Sequence, residues 1–184
     1  MSKVIQDSNG KHKDGIYSNV KSFVILRIEK VRNEKLMELY ELKKRSIERE
    51  GKEPAEKWLF YGSRFVEEIS EDGFKIELAK DGTFGYGLYF ASNSSKSNFN
   101  SLGGQGYDAH RNQRCEMCTR KMLLCKVMLG KIYEAIDPMR GIRGMRGFDS
   151  ISVSPGPHLE HPEWIVYQES QVYSNYKFYY KVKN

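Results

Sequence analysis

The run Met122–Leu129 (MLLCKVML) is the feature that most restricts how this chain can fold. It carries seven apolar residues and a single lysine over eight positions. This length suits a strand buried on both faces, and it is far short of the roughly 20 apolar residues that a bilayer span requires. We therefore expect it to form a central strand of a sheet. No other stretch approaches the length of a membrane span, and the first residues lack the apolar core of a signal peptide.

Shorter apolar runs, separated by turn residues, predict further strands. They are Phe23–Leu26, Trp58–Tyr61, Leu88–Ala91, Trp164–Tyr167 and Tyr176–Val182. A helix is predicted to begin after Asn33, a suitable N-cap, and to end before a charged loop at 48–54. Its apolar positions repeat at helical spacing; they are Leu36, Leu39, Tyr40 and Ile47. A short helix ends at Gly73, and an irregular stretch occupies 136–162. The pattern predicts an α+β domain, mostly antiparallel, with few helices.

Length, charge and cysteine content limit the class of protein. The 184 residues indicate one domain, predicted at 19–184, after a polar tail at 1–18. The formal net charge of +6 favours anionic partners without choosing among them. Cys115, Cys118 and Cys125 are odd in number and clustered, which is not a disulfide framework. We expect an intracellular protein, cytoplasmic or nuclear.

Four short blocks stand in a fixed order along the chain. They read LFYGS at 59–63, FGYGLYFA at 84–91, SSKSN at 94–98 and EWIVY at 163–167. Each glycine allows a backbone to approach another group closely. A lone G-x-G is a weak signal, and the spacing here does not match a Rossmann fingerprint. The four blocks together and in order are much more specific than any one of them.

In these blocks the chain resembles the catalytic domain of poly(ADP-ribose) polymerases, and most closely the tankyrases. The resemblance extends over about residues 20–183 and includes the segments CEMC at 115–118 and DSI at 149–151. It implies an ADP-ribosyltransferase fold of split, mostly antiparallel sheets that binds NAD+ in a central cleft. The activity it implies is transfer of ADP-ribose from NAD+ to a protein side chain with release of nicotinamide. Whether single units or polymers are made stays open.

The resemblance also assigns catalytic roles. Members of the family carry a His, a Tyr and a Glu, which fall here on Tyr61, Tyr89 and Glu163. Tyr89 would stack on the cationic nicotinamide ring, because an aromatic face attracts a cation. Glu163 would hold a ribose hydroxyl and stabilise the oxocarbenium-like transition state. Tyr61 departs from the family: it either replaces the histidine as a hydrogen-bonding group or fills the NAD+ site.

Further positions would contact NAD+. By the resemblance they are Gly62, Ser63, Tyr89, Ala91, Ser97 and Phe99. Gly62 would offer its backbone to the carboxamide, Ser97 would donate a hydrogen bond to the same group, and Ala91 would leave room in the pocket wall. Asn100 stands where the family has a second stacking tyrosine, so Phe99 would have to shift to serve. The donor-loop segment 77–82 lacks the aromatic residue of tankyrases.

These departures support a second interpretation. The chain would then be a catalytically weak or inactive module of the same fold, binding RNA, ADP-ribose or a protein partner.

A second motif, His110-x4-Cys115-x2-Cys118, suits tetrahedral zinc. Tankyrases have a structural zinc site here, but Tyr107 replaces one of its cysteines. Asp108 is a candidate fourth ligand, and a water molecule or another chain could serve instead. The motif predicts either a structural zinc site or one that has lost its metal. Cys125 lies in the apolar run and is expected in the core.

The third feature is the Arg-Gly repeat from Arg140 to Gly147 (RGIRGMRG). Arg-Gly repeats can contact RNA or phosphates, which is one interpretation. The other follows from the resemblance, which implies a basic loop on the acceptor side, whose three arginines would contact an acidic protein target or a growing ADP-ribose chain.

Overall fold

The structure is a computed structural model that describes residues 20–101, 115–156 and 161–183, without the side chain of Phe99. Ten strands lie in these ranges: β1 Ser22–Lys30, β2 Glu56–Gly62, β3 Asp81–Gly82, β4 Gly85–Tyr86, β5 Leu88–Ala91, β6 Arg120–Met128, β7 Ile132–Ala135, β8 Ser150–Val153, β9 Glu163–Val166 and β10 Val172–Lys183. The α-helices of the described ranges are α1 Glu34–Arg49, α2 Val66–Asp72 and α3 Ser94–Asn98. Short 3₁₀ turns occur at Ile76–Leu78, Phe99–Ser101 and Glu169–Gln171. None of the helices in this part of the chain has the length and hydrophobicity needed to cross a bilayer.

Eight strands form one sheet in the order β1-β10-β6-β2-β5-β9-β8-β7, and β3 and β4 form a separate hairpin. All pairs in the large sheet are antiparallel except β7 with β8. Strands β2 and β5 share a single pair, Phe60 with Ala91. By contrast, β2 pairs with β6 along its whole length. The sheet therefore divides into two four-stranded halves joined at one bridge, and the predicted α+β fold with split antiparallel sheets is confirmed.

Strand β6 is the central strand that the apolar run predicted. Leu123 and Cys125 are fully buried against one layer of the core, and Met122 is fully buried against the other. Side chains alternate between the two faces of a strand, so a run this apolar is stable only where both faces are covered.

The predicted helix is present as α1, but it differs from the prediction in two respects. The Asn33 side chain caps it by accepting a hydrogen bond from the backbone N–H of Leu36 at 3.1 Å. Tyr40 and Ile47 are buried against β6 and β10. Leu39, however, is 46% exposed and lies outside the packed stripe. The helix also continues to Arg49, into the segment predicted as a loop.

Several short elements were not predicted from the sequence, among them strands β3 and β4, which lie in a segment predicted as a loop. Helix α3 occupies the Ser/Asn-rich segment, whose residues are weak helix formers. Strands β7 and β8 are four residues long, and β8 lies inside the stretch predicted to be irregular. The predicted tail at 1–18 lies outside the described residues.

Candidate active site

Tyr89 is held rigidly on β5. Its hydroxyl donates a hydrogen bond to the carbonyl of Gly85 at 2.8 Å and accepts one from the backbone N–H of Phe84 at 2.9 Å. Burial raises the pKa of this hydroxyl to about 12, so it stays neutral at physiological pH. Both bonds come from the β3–β4 hairpin, where a Cβ at Gly82 would lie 2.5 Å from the Tyr89 hydroxyl. Tyr89 is therefore suited to present a ring face and not to transfer a proton.

Glu163 lies on the same face of the sheet as Tyr89. It is the first residue of β9 and pairs with Ala91, while Tyr89 pairs with Ile165. Paired residues of an antiparallel ladder share a face, and so do residues two apart on one strand. Ala91, 3% exposed, thus stands directly beside Glu163 with a small side chain. The Glu163 side chain is only 14% exposed.

The partner of Glu163 is Lys96, a residue that the sequence did not single out. Its Nζ lies 3.0 Å from Glu163 Oε1. Lys96 belongs to α3, the short helix that covers this part of the site. The only signal for it in the sequence is that it is the one charged residue in a Ser/Asn-rich segment.

Helix α3 also packs directly on Gly62. A Cβ built at Gly62 would lie 1.7 Å from the backbone carbonyl oxygen of Ser97, a distance that no real atom pair adopts. The space beside Gly62 is therefore taken by the Ser97 backbone, and only glycine fits there. The structure thus brings together Gly62 and Ser97, two of the predicted contact residues.

Polar contacts at both ends fix α3 in place. At its end, the Asn98 side-chain oxygen accepts hydrogen bonds from Arg120 Nη1 and from the Tyr180 hydroxyl, each at 2.9 Å. Before its start, Asn93 Nδ2 lies 3.4 Å from His161 Nδ1, a contact two residues beyond the Ala91–Glu163 pair of β5 and β9. Buried polar groups joined in this way specify one arrangement of the segment.

Two other predicted contact residues lie elsewhere or are undescribed. Ser63 Oγ accepts a hydrogen bond from the backbone N–H of Phe65 at 3.1 Å, which shapes the turn before α2. The Phe99 side chain lies outside the described part of the structure, and its neighbour Asn100 is exposed.

Tyr61 stands apart from the other predicted catalytic residues. Its ring lies edge-on to Phe74, with centroids 4.9 Å apart, and 5.2 Å from the ring of Phe90. It shares the face of Phe90, opposite the face of Tyr89, because neighbouring strand residues alternate. Burial, and to a lesser extent Cys125, raises the pKa of Tyr61 to about 12. Within the described ranges, its hydroxyl forms no hydrogen bond.

The predicted zinc ligands are only partly described. Cys115 Sγ and Cys118 Sγ lie 2.9 Å apart on one turn, whereas Asp108 and His110 fall outside the described residues. In the part of the chain that the structure covers, no three His, Cys, Asp or Glu residues form a group that could hold a metal. Cys125 is fully buried in the core, which raises the pKa of its thiol to about 12.

Comparison with known proteins establishes the family. Residues 2–147 match the model of the poly(ADP-ribose) polymerase catalytic domain. The chain belongs to this family. It is 29% identical over 169 aligned residues to a Dictyostelium discoideum protein named "probable poly [ADP-ribose] polymerase", an alignment that covers 84% of this chain. The chain spans about half the length, 47%, of that curated relative.

Proposed function

We propose that this poly(ADP-ribose) polymerase domain transfers ADP-ribose from NAD+ to a protein side chain. In that reaction the bond between nicotinamide and C1′ of the ribose breaks, and nicotinamide leaves with the bonding electron pair. The acceptor nucleophile forms the new bond to C1′ and loses its proton to solvent or to a base. Whether further units are added to form a polymer depends on how the acceptor binds.

The observation that carries the proposal is the arrangement of Glu163 beside Ala91 and on the face of Tyr89. A carboxylate in a largely buried site stabilises the positive charge that develops on the ribose. Lys96 fixes the orientation of that carboxylate. The fixed ring of Tyr89 supplies a face for the cationic nicotinamide. Gly62 lies directly against the Ser97 backbone, and the resemblance implies that the amide of nicotinamide would find its hydrogen-bond partners there.

The direct test uses NAD+ labelled in its adenylate half. Label transferred to protein and nicotinamide released are both measured for the wild type and for Glu163→Gln. The matched control is Glu68→Gln, which removes one exposed carboxylate on α2. We expect Glu163→Gln to lower the rate by at least about 100-fold, and Glu68→Gln to leave it unchanged.

A second candidate function, the non-catalytic binding module, is favoured by Tyr61. Its ring packs between Phe74 and Phe90, where the family has a histidine that hydrogen-bonds the dinucleotide. This candidate predicts no saturable NAD+ binding by calorimetry. If the wild type releases no nicotinamide and transfers no label, while Tyr61→His gains activity, the active-enzyme proposal fails and the module stands.

Within the family we propose that the chain is tankyrase-like and holds a structural zinc ion. The support is the CEMC segment, whose two thiols converge on one turn. Two cysteines separated by two residues in sequence commonly supply half of a tetrahedral zinc shell, and His110 and Asp108 would complete it. Zinc bound there would stabilise the turn that leads into β6, away from the chemistry at Glu163.

A further inference from the structure

The basic loop Met139–Gly147 is anchored to the hairpin that holds Tyr89. The backbone N–H of Met139 donates to the carbonyl of Thr83, and that of Tyr86 donates to the carbonyl of Ile142, both at 2.8 Å. The N–H of Gly141 donates to Asp81 Oδ1, also at 2.8 Å. One hairpin therefore positions both the stacking ring of the site and the basic loop. The loop is thus an ordered surface at the rim of the site.

The three arginines of this loop present a concentrated positive charge. Arg140, Arg143 and Arg146 are all exposed, and none forms an ion pair with any residue in the described ranges. The carboxylate of Asp81 contacts the loop, and its Oδ1 is already engaged by the backbone N–H of Gly141.

The glycines of the loop determine its backbone shape. Each arginine precedes a glycine with positive φ: Gly141 at 78°, Gly144 at 139° and Gly147 at 82°. At the tip, the N–H of Phe148 donates to the carbonyl of Met145 at 3.0 Å, which closes a turn with Arg146 at its first central position and Gly147 at its second. These left-handed positions suit glycine, so the repeat encodes the shape of the loop as well as its charge.

The aromatic rings beside the loop favour carboxylates over nucleobases as its ligand. Arg143 lies over the ring of Tyr86 at 4.2 Å, and Lys131 lies over the ring of Phe148 at 4.8 Å. Tyr133 packs edge-on to Phe148 at 5.2 Å. Single-stranded nucleic acids bind through open aromatic faces on which bases stack. A cation already lies over Tyr86 and another over Phe148, so the surface offers positive charge and guanidinium groups, whose paired N–H donors match carboxylates.

We propose that the basic loop docks an acidic segment of the acceptor protein beside the catalytic site. This inference rests on the proposed transferase function and names the substrate class for it. Arg140, Arg143 and Arg146 would bind acidic side chains that flank the modified residue. The loop would thereby raise the local concentration of acceptor without contacting NAD+ itself.

Peptide binding to the full chain tests the proposal without relying on activity. The probe is a fluorescent peptide that alternates Glu and Gly, with a Gln-Gly peptide as its neutral counterpart. The loop variant Arg140→Gln/Arg143→Gln/Arg146→Gln is compared with Lys35→Gln/Arg45→Gln/Arg49→Gln, which removes the same charge from exposed positions of α1. We expect the loop variant to bind the acidic peptide about tenfold more weakly, and the control to change affinity by less than about twofold.

Three outcomes would overturn the proposal: equal affinity in the two variants, equal binding of the Gln-Gly peptide by the wild type, or tighter binding of an ADP-ribose oligomer or oligouridylate through the same arginines. Nicotinamide release without acceptor is measured in parallel, and we expect it to be unchanged in the loop variant. If no variant releases nicotinamide, the proposed transferase function fails, while the binding comparison still decides whether the loop recognises acidic peptides.

Discussion

Lys96 Nζ lies 3.0 Å from Glu163 Oε1, and this ion pair joins helix α3 to the first residue of β9. The two side chains are only 29% and 14% exposed. An ion pair shielded to this degree is screened less by salt than a surface pair. The orientation of the Glu163 carboxylate therefore depends on where α3 sits, and α3 is held by Asn98 and by the close contact with Gly62.

We expect Lys96→Met to lower the rate of nicotinamide release by about tenfold, the effect of roughly 1.4 kcal/mol on the barrier. The reason is that Lys96 acts through Glu163 and fixes the position of its carboxylate. Lys96→Arg, which keeps the charge, should restore most of the rate. Steady-state kinetics in NAD+ should place the loss in kcat more than in KM. A Lys96→Met enzyme with wild-type kcat would rule out this positioning role.

Replacements at Tyr61 separate packing from ligand binding. Tyr61→Phe removes only a hydroxyl that forms no hydrogen bond with the described residues, so the midpoint of urea unfolding should stay within error. Tyr61→Ala removes the ring contacts with Phe74 and Phe90, and should lower the free energy of unfolding by about 2 kcal/mol. If the hydroxyl takes the place of the family histidine, Tyr61→Phe weakens NAD+ binding several-fold in calorimetry. Unaltered NAD+ affinity in Tyr61→Phe would show that the hydroxyl has no such role.

Gly62→Ala should disrupt the site, because its Cβ would lie 1.7 Å from the Ser97 carbonyl oxygen. Helix α3 would have to move away, and Lys96 with it. We expect a drop in the thermal midpoint of several degrees, which corresponds to about 1–3 kcal/mol for overpacking, together with loss of nicotinamide release. Gly156→Ala is the control, since the nearest atom to its Cβ is 4.0 Å away. A Gly62→Ala protein with unchanged melting and activity would contradict this packing.

The parts of this molecule that the sequence predicted are those with a strong local pattern. The apolar run at 122–129 has the length and composition of a central strand, and Asn33 marked the start of α1 by a local hydrogen bond. Helix α3 could not be predicted, because its Ser/Asn-rich residues favour no helix and distant partners, Arg120 and Tyr180, hold its end. The Lys96–Glu163 contact joins residues far apart in the chain, so no local pattern encodes it.

The prediction of a structural zinc ion is tested by metal analysis of protein purified without chelator. We expect close to one equivalent of zinc, and a loss of zinc in Cys118→Ala, because removing one thiolate breaks the ligand shell. Cys125→Ala is the control, since that thiol is buried in the core, away from the Cys115–Cys118 turn. Less than about half an equivalent in the wild type would favour a site that has lost its metal.

The acid stability of the domain should depend on Glu67, which ties α2 to the sheet. Its carboxylate accepts hydrogen bonds from Lys121, at 2.6 Å, from Lys177, and from the Tyr179 hydroxyl, at 2.9 Å. Burial alone would raise the pKa of Glu67, but these bonds outweigh it and lower the pKa to about 2. A carboxyl whose pKa is lower in the folded state stabilises the fold above its unfolded pKa, near 4.3, and this contribution is lost as the pH falls towards 2.

Glu67→Gln should therefore lower the free energy of unfolding at neutral pH by about 1 kcal/mol, a modest value because the side chain is 36% exposed. The difference in the free energy of unfolding between wild type and variant should shrink as the pH falls from about 4.3 towards 2, since the wild-type carboxylate becomes protonated there. Urea denaturation of both proteins across this pH range measures that difference. Glu68→Gln removes an exposed carboxylate from the same helix and is the control for the change in charge alone. If the difference between wild type and Glu67→Gln stays constant down to the lowest pH, the lowered pKa of Glu67 and its assigned cause are contradicted.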